Sequence, residues 1–186
     1  MRRYFRLTTI LLVLALTAGA LISPNPATAA SAAEIDRDAK KALGDLYAKS
    51  PAAKTMGEKA IGILVFPGIV KGGFIVGGQY GEGALIKDGK TAAYYSTVSA
   101  SYGLQIGLQK FGYALFFMTD SALKWLDKSD GWEIGVGPSI VVVDVGAATS
   151  MTSTTLQSDI YAFFFDQKGL MGGLGLQGTK ITRVEK

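Results

Sequence analysis

The residues of this chain that could do covalent or proton chemistry are few, and their types narrow the options before any fold is considered. The 186 residues include no histidine and no cysteine. That removes the proton shuttle of physiological pH, the commonest metal ligand, a thiolate nucleophile and every disulfide. A nucleophile would have to come from serines such as Ser96, Ser99 and Ser101, with a lysine as base, and none of them sits in a G-x-S-x-G elbow. Asp88, Asp130 and Asp166 are spread along the chain at turn-like positions, where capping and turn roles account for them. The expectation is a protein that is not an enzyme and carries no metal and no cofactor.

Lysines set among glycines and aromatics remain. From Phe66 to Gly83 the chain reads FPGIVKGGFIVGGQYGEG. Glycine in a strand-like pattern marks a bulge or a close approach to the backbone. The run is no phosphate loop, because its glycines lead into Ala84-Leu85-Ile86, which reads as strand, rather than opening a helix. Lys71, Lys87, Lys90, Lys110 and Lys168 fall near strand ends beside such stretches. Gathered on one rim they would attract anionic headgroups at about 1 kcal/mol each; taken singly, each also reads as an ordinary solvated lysine. The candidate ligand-binding residues are Lys71, Gly72, Gly73, Tyr80, Lys87, Lys90 and Lys110.

Residues 1–29 read as an export signal. Arg2, Arg3 and Arg6 precede an apolar stretch from Leu7 to Leu21, and Ala27-Thr28-Ala29 has the small-x-small form of a cleavage site before Ala30. The apolar stretch falls short of the ~20 residues that span a bilayer. Residues 30–186 are then a single domain, periplasmic or secreted. The whole chain has 19 basic and 15 acidic residues. The leader holds three arginines and no acid, which leaves 16 against 15. A nearly neutral domain without a basic stripe argues against a nucleic-acid partner.

The elements that must position the lysines follow from periodicity. Ser31-Ala32-Ala33-Glu34 has capping-box spacing. Ile35, Ala39, Ala42, Leu43, Leu46 and Tyr47 form one helical face, alanine-rich and suited to covering a core. Ser50-Pro51 predicts a cap and first turn for a second short helix ending near Gly57 or Ala60. Strands are predicted over 61–66, stopped by Pro67-Gly68, and over 74–86, leading to an Asp88-Gly89 turn. Others are predicted over 91–98, 102–109 and 112–118. Asp120 caps a short helix holding Trp125, and Asp130-Gly131 turns into 132–137. A buried strand is predicted at 139–145, a loop at 147–157, and a final hairpin from 160–165 and 170–181 about Gln167-Lys168-Gly169.

Lys59 to Ile86, KAIGILVFPGIVKGGFIVGGQYGEGALI, together with ASYGLQIGLQ at 100–109, Gly137-Pro138 and GLMGGLGLQGTKI at 169–181, resembles the SYLF-domain family over roughly Ala53 to Arg183. The resemblance implies a non-enzymatic domain that binds membrane lipids and, in fungal members, actin. It also implies roles for basic residues and an N-terminal amphipathic segment, whose counterparts here are Lys71 and the helix from Ile35 to Tyr47.

The fold expected is α+β: N-terminal helices on a glycine-rich, mainly antiparallel sheet, open or closed on itself in barrel-like fashion. The function expected is binding of an anionic lipid or membrane surface in a bacterial envelope. A protein-interaction scaffold of the actin-binding kind is the first alternative. An outer-membrane β-barrel is the second, and the continuous apolar runs at 140–143 and 163–165 speak against it.

Overall fold

The computed structural model describes residues 30–73, 76–102, 107–128, 130–143, 157–168, 176 and 178–186. The export signal expected at 1–29 lies outside them, as do most of the 147–157 loop and most of the 169–181 motif.

Local sequence sets the N-terminal helices. Ser31 and Glu34 close the capping box: the Ser31 hydroxyl accepts from the Glu34 N–H, and the Glu34 carboxylate accepts from the Ser31 N–H at 2.8 Å. This starts α1 (Ala32–Lys49), which buries Ile35, Ala39, Ala42, Leu43 and Leu46 on one side. The Ser50 hydroxyl accepts from the Ala53 N–H and, with Pro51 in the first turn, starts α2 (Pro51–Gly57).

Eight strands follow: β1 (Gly62–Gly73), β2 (Val76–Lys87), β3 (Lys90–Tyr102), β4 (Gly107–Phe117), β5 (Trp132–Glu133), β6 (Ile140–Val143), β7 (Ile160–Lys168) and β8 (Lys180–Val184). Between β4 and β5 stand a one-turn helix, α3 (Asp120–Leu123), and a 3-10 turn over Lys124–Asp127. Thr119, one residue before the expected Asp120, supplies the cap. The strands form one sheet in the order β5-β8-β3-β2-β1-β4-β7-β6, antiparallel except for the parallel β6–β7 pair. The fold is α+β, as expected.

Both faces of the sheet are buried over much of its area. Ile63, Val65, Ala84, Ile86, Ala114, Phe116, Phe163 and Phe165 pack under α1 and α2 on the convex face. Leu64, Phe66, Leu85, Tyr95, Tyr113, Leu115, Phe117, Phe164 and Ile181 fill the concave face. The run Phe163-Phe164-Phe165 is therefore apolar without a break because its members feed two cores in turn. The sheet curls strongly: Trp132 of β5 meets Phe117 of β4 at a ring distance of 6.2 Å, although four strands separate them in the sheet order. The result is a half-barrel in which β5 and β6, at its two edges, do not pair among the described residues.

Three expectations are corrected. Pro67-Gly68 does not end β1. One extra residue is accommodated there against both neighbours, since Val65 to Gly68 opposes Ala84 to Glu82 of β2, and Phe66 to Ile69 opposes Tyr113 to Phe111 of β4. Proline, with no N–H to give the ladder, is tolerated at such a bulge. The final hairpin is not formed among the described residues: β7 pairs with β4 and β6, β8 pairs with β3 and β5, and most of the expected second arm at 170–181 lies outside them. Lastly, Ile140–Val143 is an edge strand rather than a buried one, with Val142 53% exposed.

Candidate functional site

The bulge at Pro67 decides which side chains reach the surface. In β1, Val65 points to the convex face and Phe66 to the concave one. Strict alternation would bring Lys71 out beside Val65. The extra residue reverses the parity, so that Ile69 and Lys71 turn inward and Gly68 and Val70 turn outward. Lys71 is only 8% exposed, in register with Gln79 and Gln109, which are buried too. The Gln79 amide donates to the Thr179 hydroxyl at 3.4 Å.

The register then builds one row across the convex face. Lys180 of β8 pairs with Val98 of β3, Val98 with Tyr80 of β2, Tyr80 with Val70 of β1, Val70 with Lys110 of β4, and Lys110 with Lys168 of β7. All six side chains are exposed. An irregularity between Lys110 and Gly112, beside Asp166 with its φ of 51°, brings Lys168 level with Lys110. The next row outward, Ala100-Gly78-Gly72-Leu108, is nearly bare, and Leu108 stands out of it at 74% exposure. Neither α1 nor α2 covers this end of the sheet. Three large apolar side chains thus lie between one lysine and two others, which is the pattern of a surface that meets another surface.

Of the residues expected to bind a ligand, Tyr80 and Lys110 stand in this row and Gly72 stands beside it. Gly73 pairs with Gly77 and Gly107 at the end of β1. Lys71 faces the concave side. Lys87 and Lys90 flank the Asp88-Gly89 turn at the other end of β2, about 20 Å along the strand from Tyr80. Val70, Val98, Leu108 and Lys180 belong to the face but went unselected in the sequence, because only the cross-strand register gathers them.

A trough of about 670 Å³ runs between this row and α1. One wall is the α1 edge, with Asp38, Lys41, Ala42 and Asp45; the other is Tyr80, Val70 and Lys110; Pro67 and Gly68 form the floor. Its charges are mostly compensated in place. Asp38 pairs with Arg37, Asp45 with Lys41, Asp166 with Lys49 and Glu82 with Lys186. Lys110 has no ion-pair partner among the described residues.

Glu82 holds one end of the trough. Its carboxylate accepts from the Lys186 ammonium and the Tyr80 hydroxyl, both at 2.8 Å, while Lys186 also donates to the Ala30 carbonyl at 3.0 Å. Burial pushes the Glu82 carboxyl up, but these bonds outweigh it and hold its pKa below the usual carboxylate value. Tyr80 is shifted up by its own burial and by Glu82.

Residues 98–186 match the family model described as Ysc84: Las17-binding protein actin regulator. This match, from the Val98 position of the exposed row onward, is consistent with the SYLF-domain resemblance seen in the sequence and covers just under half of the chain; the Lys59–Ile86 stretch lies outside it. No curated protein matches the chain.

Proposed function

We propose that this chain, with the SYLF-family pattern over its residues 98–186, is a non-enzymatic binding module whose exposed convex row docks on anionic lipid surfaces. The observation that carries the reading is the row Lys180-Val98-Tyr80-Val70-Lys110-Lys168. Its apolar centre can seat at the headgroup boundary while its lysines meet phosphates. Three lysines at about 1 kcal/mol each give weak, salt-sensitive binding, which burial of Val70, Tyr80, Val98 and Leu108 reinforces. The leader expected at 1–29 supports a bacterial-envelope location, where anionic phospholipids are at hand.

Co-flotation of the purified protein with vesicles tests this. Flotation with phosphatidylglycerol vesicles, weakened by salt and absent with phosphatidylcholine, supports it; no flotation with either removes it. The family description favours a second reading, a protein-docking face of the actin-regulator kind. Co-sedimentation with filamentous actin that persists without lipid would favour that reading over the first.

A further inference from the structure

Resting on the lipid reading above, we infer that the trough beside the exposed row takes up one single-chain anionic amphiphile, of the fatty-acid or lysophospholipid type, lifted out of the surface on which the row docks.

The trough's size, its lining and its charge balance each bear on this. At about 670 Å³ it falls within the ~300–1,000 Å³ range of sites that enclose a small molecule. Its depth comes from the sequence: Gly68 presents no side chain at the point where the bulge turns it outward, and Ala42 is the small residue opposite on α1. Ile35, Ala42, Pro67 and Val70 give the trough an apolar lining along which a hydrocarbon chain can lie.

The charge balance selects the head. Each of the four lining carboxylates, Asp38, Asp45, Glu82 and Asp166, already has its own cation. The charge left over is the Lys110 ammonium, with Lys168 beside it in register. Among the described lining residues a cationic amphiphile would find no carboxylate without a partner, and it would sit against these two lysines. A carboxylate or phosphate head finds a donor at Lys110 as its chain enters the trough. Val70 and Lys110 belong to both the row and the trough, so the two share a border.

Calorimetric titration of the purified protein with sodium dodecanoate and with dodecanol, both below their aggregation concentrations, tests the inference. The expected result is saturable binding of one dodecanoate per chain, roughly tenfold weaker binding of dodecanol, and roughly tenfold weakening of dodecanoate by K110E. G68V fills the floor. Its new Cβ would meet only the flexible end of Lys110, with Cε at 3.2 Å, so the fold is expected to tolerate it. G68V should lose dodecanoate binding while still floating with phosphatidylglycerol vesicles. Lysophosphatidylglycerol in place of dodecanoate separates a phosphate head from a carboxylate one. Flotation without dodecanoate or lysophosphatidylglycerol binding overturns this inference and leaves the surface reading standing. Equal binding of dodecanol, or binding indifferent to K110E in a protein whose circular dichroism is unchanged, also overturns it. Loss of flotation and of binding alike in the unaltered protein removes both readings.

Discussion

Thr97 and Tyr113 join their hydroxyls at 2.8 Å across the concave face, although β2 and β1 lie between their strands. Both side chains are fully buried. A flat sheet would hold strands three places apart some 14 Å from each other, so this bond records how far the sheet has curled. It also supplies a polar pair inside an apolar core, with each hydroxyl satisfied by the other.

Y113F should therefore cost about 1–3 kcal/mol, because it strands the Thr97 hydroxyl in the core, and T97V/Y113F should recover part of that loss. Chemical denaturation of the four proteins of the cycle reads both effects. Burial raises the Tyr113 pKa above its ordinary value of 10, an effect the Thr97 bond only partly offsets. A raised value means that stability is fully present below about pH 10 and falls as pH climbs beyond it. Burial, with Glu58 nearby, likewise pushes Tyr47 up to about 12. The alkaline decline should be shallower in Y113F.

Gly83 and Gly78 occupy the same strand and should respond oppositely to alanine. A Cβ on Gly83 would lie 2.3 Å from the Val65 carbonyl oxygen and 2.7 Å from the Phe66 ring, beside the bulge. Backbone held in a ladder cannot give way, so G83A should lose about 1–3 kcal/mol. At Gly78 the nearest atom is the Ser99 carbonyl oxygen at 3.7 Å, and G78A should stay within about 0.5 kcal/mol of the parent. Thermal or urea unfolding of the two variants separates them.

These cases show what could be read from the sequence and what could not. The capping box at Ser31 and Glu34, Pro51 in the first turn of α2, and the positive φ angles of Asp88 and Gly89 are decided within four residues, and each was legible. The partner of β8 was not. Its pairing with β3 joins positions some 86 residues apart, such as Ser96 and Thr182, and turn chemistry near Lys168 says nothing of it. The site was half legible for a sharper reason. Lys71 and Lys110 look alike in sequence, beside glycine and strand, yet a single extra residue at Pro67 sends one inward and leaves the other on the surface. Proline and glycine signalled an interruption there. They did not signal whether the strand stops or only changes parity.

The Lys186–Glu82 pair ties the last residue to the edge of the trough, with each side chain about 10% exposed. K186M would leave the carboxylate largely buried without its cation, at a cost of about 2 kcal/mol. The Glu82 pKa lies below its ordinary 4.5, so the pair's contribution is present above that pH and is lost as pH falls through the lower folded value. Acid titration followed by circular dichroism should show a gentler decline for E82Q than for the parent.

The most direct test of the binding face is flotation with phosphatidylglycerol vesicles, comparing V70D/K110E/K168E with K87E/K90E. Both variants change exposed positions, and both exchange lysine for glutamate at two sites. The account predicts that the first loses flotation, while the second, altered at the far end of the β2–β3 hairpin, floats as the parent does. Loss of flotation in K87E/K90E with retention in V70D/K110E/K168E would contradict it and move the lipid surface to the opposite end of the sheet.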